Sequence, residues 1–347
     1  MKLQKRAAGF GSLKATSNRL TKGALKKRLP SLLVITVEKL VSGGMISYRV
    51  MNKRKVPLLA FSWLLLASVC FGATDNPRQT RFPFRVSEGG LILIQVTANG
   101  VKGEFILDTG AGIHVFSNGF LHKLSPQAAG HYTGFRNTGE RIDFDLFQIA
   151  SLSIGRFRQE HPVVAAWEVL DKFKIDGVLA AKFFEHHIVS LDFNKHELVF
   201  ENRQTLNRRL RQGRVIPLKV LEDRDKTLGL FVDLTVGDSL TCECELDTGF
   251  DGLLILDARF MRPLNLDEHS ATVKRMESKG LTGLTEIRYR ATVSNVSLLG
   301  APEVNMEKPE VTFIGGLIYD GVVGAGFWLN REVTLDIPSR RLIVGIK

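Results

Sequence analysis

Two aspartates, Asp108 and Asp247, stand in the same setting, Leu-Asp-Thr-Gly, 139 residues apart. Each follows an apolar run that reads as a strand, and each is followed by further apolar sequence. Carboxylates at the ends of two rigid strands suit chemistry that needs a facing pair. Like charges about 3 Å apart cannot both ionise, so such a pair shares one proton. One carboxylate can then deprotonate a water while the other, protonated, polarises a carbonyl. Thr109 and Thr248 carry hydroxyls able to bond a neighbouring backbone and lock the loop. Gly110 and Gly249 permit a tight turn and the close approach of a second backbone.

The tripeptides sit inside a longer repeat. Gly103–Gly112 aligns with Cys242–Gly252, with one residue inserted after the second glycine. Ile175-Asp176-Gly177-Val178-Leu179 matches Tyr319-Asp320-Gly321-Val322-Val323, and Val189–Asp192 matches Val333–Asp336, both at an offset of 144 residues. Each copy ends in an apolar strand, Glu197–Phe200 and Leu342–Val344. Kept order and spacing mark a duplicated unit of about 120–130 residues. Within it the pattern is mostly β: Leu91–Val96 and Leu230–Leu234 open the copies, and Asn99-Gly100 and Gly237-Asp238 read as hairpin turns. Ala180–His187 reads as one short helix. The expected organisation is a basic extension over 1–50, a signal peptide or membrane anchor over 51–73, a first lobe over 83–202, a polar Arg-rich linker over 203–214 and a second lobe over 215–347.

These residues resemble the aspartic proteases, specifically retropepsin-like domains of bacterial type, in a tandem arrangement similar to pepsin. The resemblance is carried by Asp108-Thr109-Gly110-Ala111 and Asp247-Thr248-Gly249, with Val178-Leu179-Ala180 and Val322-Val323-Gly324 behind them, and spans roughly residues 83–347. It implies an all-β fold of two tandem barrel lobes related by a pseudo-twofold axis. It implies hydrolysis of an extended peptide by direct attack of water, with Asp108 and Asp247 as the dyad and no cofactor or metal. Thr109, Gly110, Thr248 and Gly249 would support the loops, with the threonines interlocking rather than acting as nucleophiles. Gly134 and Gly139 in copy one, and Gly280 and Gly283 in copy two, lie where the family places a mobile hairpin. One chain would act as a monomer with an intramolecular pseudo-dimer. Three positions depart from the pattern: Phe250 where Ala or Ser is usual, Asp251 as a third carboxylate near the dyad in sequence, and Ala180 where Gly is preferred. Phe250 motivates a different reading, a peptide-binding module that keeps the fold without turnover.

Charge excludes another class. The 347-residue chain has a formal net charge of +11, but residues 1–55 hold 14 of its 47 Lys and Arg and one of its 36 acidic residues. The remainder is near neutral, so no nucleic-acid-binding face is expected in the main body. Val56–Ala73 carries no charge and directly follows Lys53-Arg54-Lys55, which reads as a secretory signal or as a membrane anchor. Either places residues 74–347 outside the cytoplasm, for example in a periplasm. Cys242 and Cys244 read as small core residues on one face of a strand. Asp176 and Asp320 read as turn residues, and Asp192 and Asp336 as strand-end residues that set turns. His114 reads as a core or pocket-edge histidine, and His186, His187 and His196 lack metal-site spacing.

Overall fold

The structure is a computed structural model that describes residues 37–42, 45–50, 80–279 and 285–346. The chain divides into two compact units, Met1–Ala73 and Thr74–Lys347. In the first, Val37–Ser42 and Met45–Val50 pair antiparallel, within the segment read as a basic extension. The expected signal or anchor over 51–73 lies outside the described residues.

The second unit holds both copies of the repeat. Copy one supplies β1 (Arg81–Val86), β2 (Ile92–Ala98), β3 (Val101–Asp108), β4 (Gln127–Phe135), β5 (Arg141–Gln148), β6 (Gly177–Ala180), β7 (Ile188–Asp192) and β8 (Glu197–Phe200). A helix, α1 (Arg203–Gln212), follows. Copy two supplies β9 (Gly213–Pro217), β10 (Thr227–Val236), β11 (Leu240–Asp247), β12 (Lys274–Lys279), β13 (Thr285–Thr292), β14 (Gly321–Gly324), β15 (Glu332–Asp336) and β16 (Arg341–Gly345).

The two aspartate-bearing strands, β3 and β11, have a two-residue period. Phe105 and Leu107 are buried in the core, as are Cys242, Cys244 and Leu246. Alternation across a strand therefore puts Ile106 with Asp108, and Glu245 with Asp247, on the opposite face. Each of these strands is held on its far side by a parallel neighbour buried along its whole length. Ala180 of β6 stands opposite Asp108, and Gly324 of β14 stands opposite Asp247. Continuous apolar runs are what a strand covered on both faces needs. The Asp-Gly turns that precede β6 and β14 are structural. Asp176 Oδ2 accepts from the Glu104 N–H at 2.9 Å, and Asp320 Oδ2 accepts from the Glu243 N–H at the same distance.

The copies join in one antiparallel sheet of order β9-β16-β15-β7-β8-β1. Its centre is the β7–β15 pair, where Ser190 stands opposite Thr334. These residues are 144 positions apart, the spacing of the repeat, and their hydroxyls bond at 2.7 Å. Repeat-equivalent residues facing one another mark the pseudo-twofold axis. The fold is thus all-β with two lobes related by that axis. One large core runs through both lobes. A smaller apolar cluster lies beneath each Asp-Thr-Gly loop, one around Ile113, Val115 and Val178 and one around Ile255, Ile314 and Val322.

Residues 203–214, expected to be a solvated linker, are instead α1 and the first two residues of β9. Asn202 and Thr205 form a reciprocal capping box that starts the helix. Arg209 is buried and bonds both Glu201 of copy one and Glu332 of copy two. The Arg-rich composition suggested solvent, but it hid one residue whose charge is used inside the protein. Ala180–His187 is helical only as a short 3-10 turn, Ala181–Phe184.

Candidate active site

The two Leu-Asp-Thr-Gly loops meet on the axis. Thr109 Oγ1 donates to the Leu246 carbonyl and Thr248 Oγ1 donates to the Leu107 carbonyl, each at 2.7 Å. Each hydroxyl also accepts from the other threonine's backbone N–H, at 3.1 Å in both directions. Both threonines are buried. Four reciprocal hydrogen bonds, each contributing about 1 kcal/mol net, fix the two loops at one separation.

The glycines set that separation. A Cβ on Gly110 would come within 2.6 Å of Asp247 Cγ, and one on Gly249 within 2.4 Å of Asp108 Cγ. Any side chain at either position would displace the opposite carboxyl. Asp108 and Asp247 face each other within hydrogen-bonding range. Asp108 Oδ1 accepts from the N–H groups of Gly110 and Ala111, both at 2.9 Å. Asp247 Oδ1 accepts from Gly249 alone, at 2.8 Å.

Burial pushes the Asp108 carboxyl up, opposed by a hydrogen bond from Asp247 and by the surrounding N–H groups. Burial holds Asp247 well above the usual carboxylate range, reinforced by Asp108 and Glu245. Asp108, with one more N–H donor on its Oδ1, is the better-supported anion of the two, and the two carboxyls titrate as a pair.

The departures at Phe250 and Ala180 are complementary. Phe250 of the second loop packs on the Ile255, Ile314 and Val322 cluster. Its ring lies over two glycines: a Cβ on Gly252 would meet Phe250 Cζ at 2.1 Å, and one on Gly324 would meet Phe250 Cδ1 at 2.5 Å. In copy one the equivalents are Ala111 and Ala180. The large residue is paired with a glycine and the small one with an alanine, so each loop seats on its own parallel strand. Phe250 thereby leaves the threonine lock and the Asp247 geometry intact.

Other residues singled out by sequence fall away from the dyad. Asp251 is exposed, and its Cβ lies 2.6 Å from where a Gly90 side chain would begin. The third carboxyl that reaches the dyad is Glu245, which motif reading passed over. Aligning the copies could have flagged it, because its counterpart is Ile106. Burial and the Asp108 charge push Glu245 up to about 8. His114 is pinned in the core: Nδ1 accepts from the Ala180 N–H at 3.1 Å, so Nε2–H donates to Gln159 Oε1 at 3.0 Å. Burial lowers its pKa to about 4, so the ring is neutral. His186, His187 and His196 do not converge; His187 packs on Phe157 and Phe200, and His196 on Phe84. Among the described residues no three His, Cys, Asp or Glu side chains gather as a metal site. Cys242 and Cys244 are free and buried, and burial raises the Cys242 thiol to about 12.

Gly134 and Gly139 belong to the β4–β5 hairpin. Gly139 is at its tip with φ of +77°, where a glycine is favoured. The tip reaches the second lobe: the Ile318 N–H donates to the Asn137 carbonyl at 2.9 Å. Between them lies a cleft of about 910 Å³, lined from one side by Thr138, Gly139 and Glu140 and from the other by Met261, Tyr289 and Gly315 among others; neither Asp108 nor Asp247 lines it. Gly280 and Gly283, expected in the equivalent β12–β13 hairpin, lie outside the described residues.

A comparison with protein families matches residues 94–183 to the family described as aspartyl protease. This segment belongs to the aspartyl protease family. It runs from β2 through the first catalytic loop and the β4–β5 hairpin to the turn after β6, so it covers the first lobe's half of the site. No curated protein matches this chain. Among solved structures it is similar to conglutin gamma, a unique basic 7S globulin from lupine seeds, at 10% identity and a TM-score of 0.44, over 77% of this chain and 95% of that one. It is also similar to basic 7S globulin from soybean, at 9% identity and a TM-score of 0.44, over 77% and 94% of the two chains.

Proposed function

We propose that the protein is an aspartic endopeptidase that hydrolyses peptide bonds with a water held between Asp108 and Asp247. The observation that carries this reading is the facing pair of buried carboxyls, locked by the Thr109–Thr248 exchange and unequally supplied with N–H donors. Asp108, with two N–H groups on one oxygen, is the base that takes a proton from water. Asp247 holds the proton that polarises the substrate carbonyl. As the tetrahedral intermediate collapses, the proton taken by Asp108 passes to the departing amine. An extended peptide would lie across the cleft beneath the β4–β5 hairpin, with strand-like backbone pairing.

Asp108→Asn and Asp247→Asn are each expected to lower kcat on an unstructured protein by at least about a thousandfold, consistent with loss of a unit acting together. Near-normal thermal unfolding should accompany that loss. Substantial turnover by either variant would overturn the shared-dyad mechanism. The second reading, a peptide-binding module that keeps the fold without turnover, is motivated by Phe250; binding of a peptide without cleavage across a broad pH range would favour it.

We further propose that residues 74–347 act outside the cytoplasm. Support comes from the uncharged Val56–Ala73 run behind Lys53-Arg54-Lys55. Recovery of the native chain in a cytoplasmic fraction would sink this.

A further inference from the structure

The walls on the two sides of the dyad descend from one repeat, yet they differ chemically. On the β11 side, Phe231 stands opposite Glu245 across the β10–β11 ladder; on the β3 side, Leu93 stands opposite Ile106 across β2–β3. The same register aligns Gly229 with Leu91, and the later repeat aligns Tyr319 with Ile175. Four aliphatic positions in the first lobe have become Gly229, Phe231, Glu245 and Tyr319 in the second.

These four lie together. Tyr319 packs edge-on against Phe231 with ring centroids 4.7 Å apart. A Cβ on Gly229 would sit 3.0 Å from Phe231 Cε2 and 4.0 Å from Glu245 Oε1, so the missing side chain lets the Phe231 ring lie beside the carboxyl. Glu245 is 8% exposed. Among the described residues its side chain makes no hydrogen bond or ion pair. The titratable groups that face it are Asp108, Asp247 and Tyr319, and none is cationic. A buried carboxyl with acids around it and no counter-ion is costly to the fold unless something else uses it.

We propose that this wall receives a cationic side chain of the substrate, Lys or Arg, at one of the two residues flanking the scissile bond, with Glu245 as the counter-ion and the Phe231–Tyr319 pair as its aromatic floor. Glu245 stands two residues before Asp247 on the same strand face, about 7 Å along the chain, which is the reach of a neighbouring substrate side chain. A carboxylate gives a charge-assisted bond, and aromatic faces attract cations. The all-aliphatic first-lobe wall takes an apolar residue on the other side of the bond. Near neutrality the free Glu245 carboxyl keeps its proton, because burial and the Asp108 charge hold it up at about 8. An arriving cation favours the anion, so binding expels that proton.

The inference rests on the peptide-cleft reading above, and the test separates the two. The full chain is titrated calorimetrically at pH 7 with octapeptides whose scissile bond is replaced by a hydroxyethylene isostere. The flanking positions carry Lys, Arg or the uncharged norleucine. Lys or Arg at one flanking position is expected to bind at least about tenfold tighter than norleucine, and to release more protons when buffers of different ionisation enthalpy are compared. In Glu245→Gln the ratio falls to about one, and Glu245→Ile, which installs the first-lobe residue, provides a second variant. A wild-type ratio near one, or a preference that survives in Glu245→Gln, overturns the cation site. Norleucine peptides that bind without any Lys or Arg preference leave the peptide cleft standing alone, whereas failure of every peptide to bind overturns both.

Discussion

Asp108 and Asp247 have the same neighbours in sequence but not the same chemistry. Asp108 Oδ1 accepts from one N–H more than Asp247 Oδ1, and Glu245 stands beside Asp247, so the two carboxyls of the pair are supported unequally. The same kind of small inequality separates Gly324 from Ala180. Gly324→Ala would drive a methyl to 2.3 Å from the Gly252 carbonyl oxygen and 2.5 Å from the Phe250 ring. It is expected to destabilise by about 1–3 kcal/mol, as overpacking does. Phe250→Ala in the same chain should relieve the ring clash and recover part of that loss, a coupling visible in a double-mutant cycle of denaturant unfolding. Additive effects would show that the large-with-glycine pairing is accidental.

At the level of elements, each aspartate is delivered by a strand gripped from both sides. β3 lies between β2 and β6, and β11 lies between β10 and β14. One face of each feeds the core and the other carries the site, so a one-residue slip would bury the aspartate and expose Leu107 or Leu246. The Asp176 and Asp320 carboxylates bind backbone N–H groups of these strands and oppose such a slip. The β4–β5 hairpin is built differently. Its tip is half-buried except at the exposed Gly139, and it is tied to the second lobe by the Asn137–Ile318 bond.

At the level of the whole molecule, the lobes are joined by the six-stranded sheet and by Arg209. The Glu201 side chain is fully buried, and its Oε2 has no partner. Its Oε1 accepts from Arg209 and from Ser190, which itself lies on the axis. Arg209→Ala would leave Glu201 as an uncompensated buried charge and is expected to cost about 3–5 kcal/mol, lowering the denaturant midpoint. Arg209→Ala at wild-type stability would refute a structural role for α1. The variant should also weaken the dyad, because the threonine lock depends on how the lobes meet.

The sequence by itself determined the duplication, the dyad residues, the glycines that permit close approach and the β character of both copies. Those follow from local rules: a two-residue period, turn chemistry, and a motif whose residue types have one use together. It also marked Phe250 and Ala180 as departures. Only the tertiary structure decided how Phe250 is accommodated, because its partner Gly324 is 74 residues away in the chain. It likewise left Asp251 exposed and brought Glu245 beside the dyad as the third carboxyl, and turned an Arg-rich linker into a helix with a buried ion pair. Charge in a sequence says how many ionised groups a segment holds; which of them leave water depends on what the rest of the chain brings beside them.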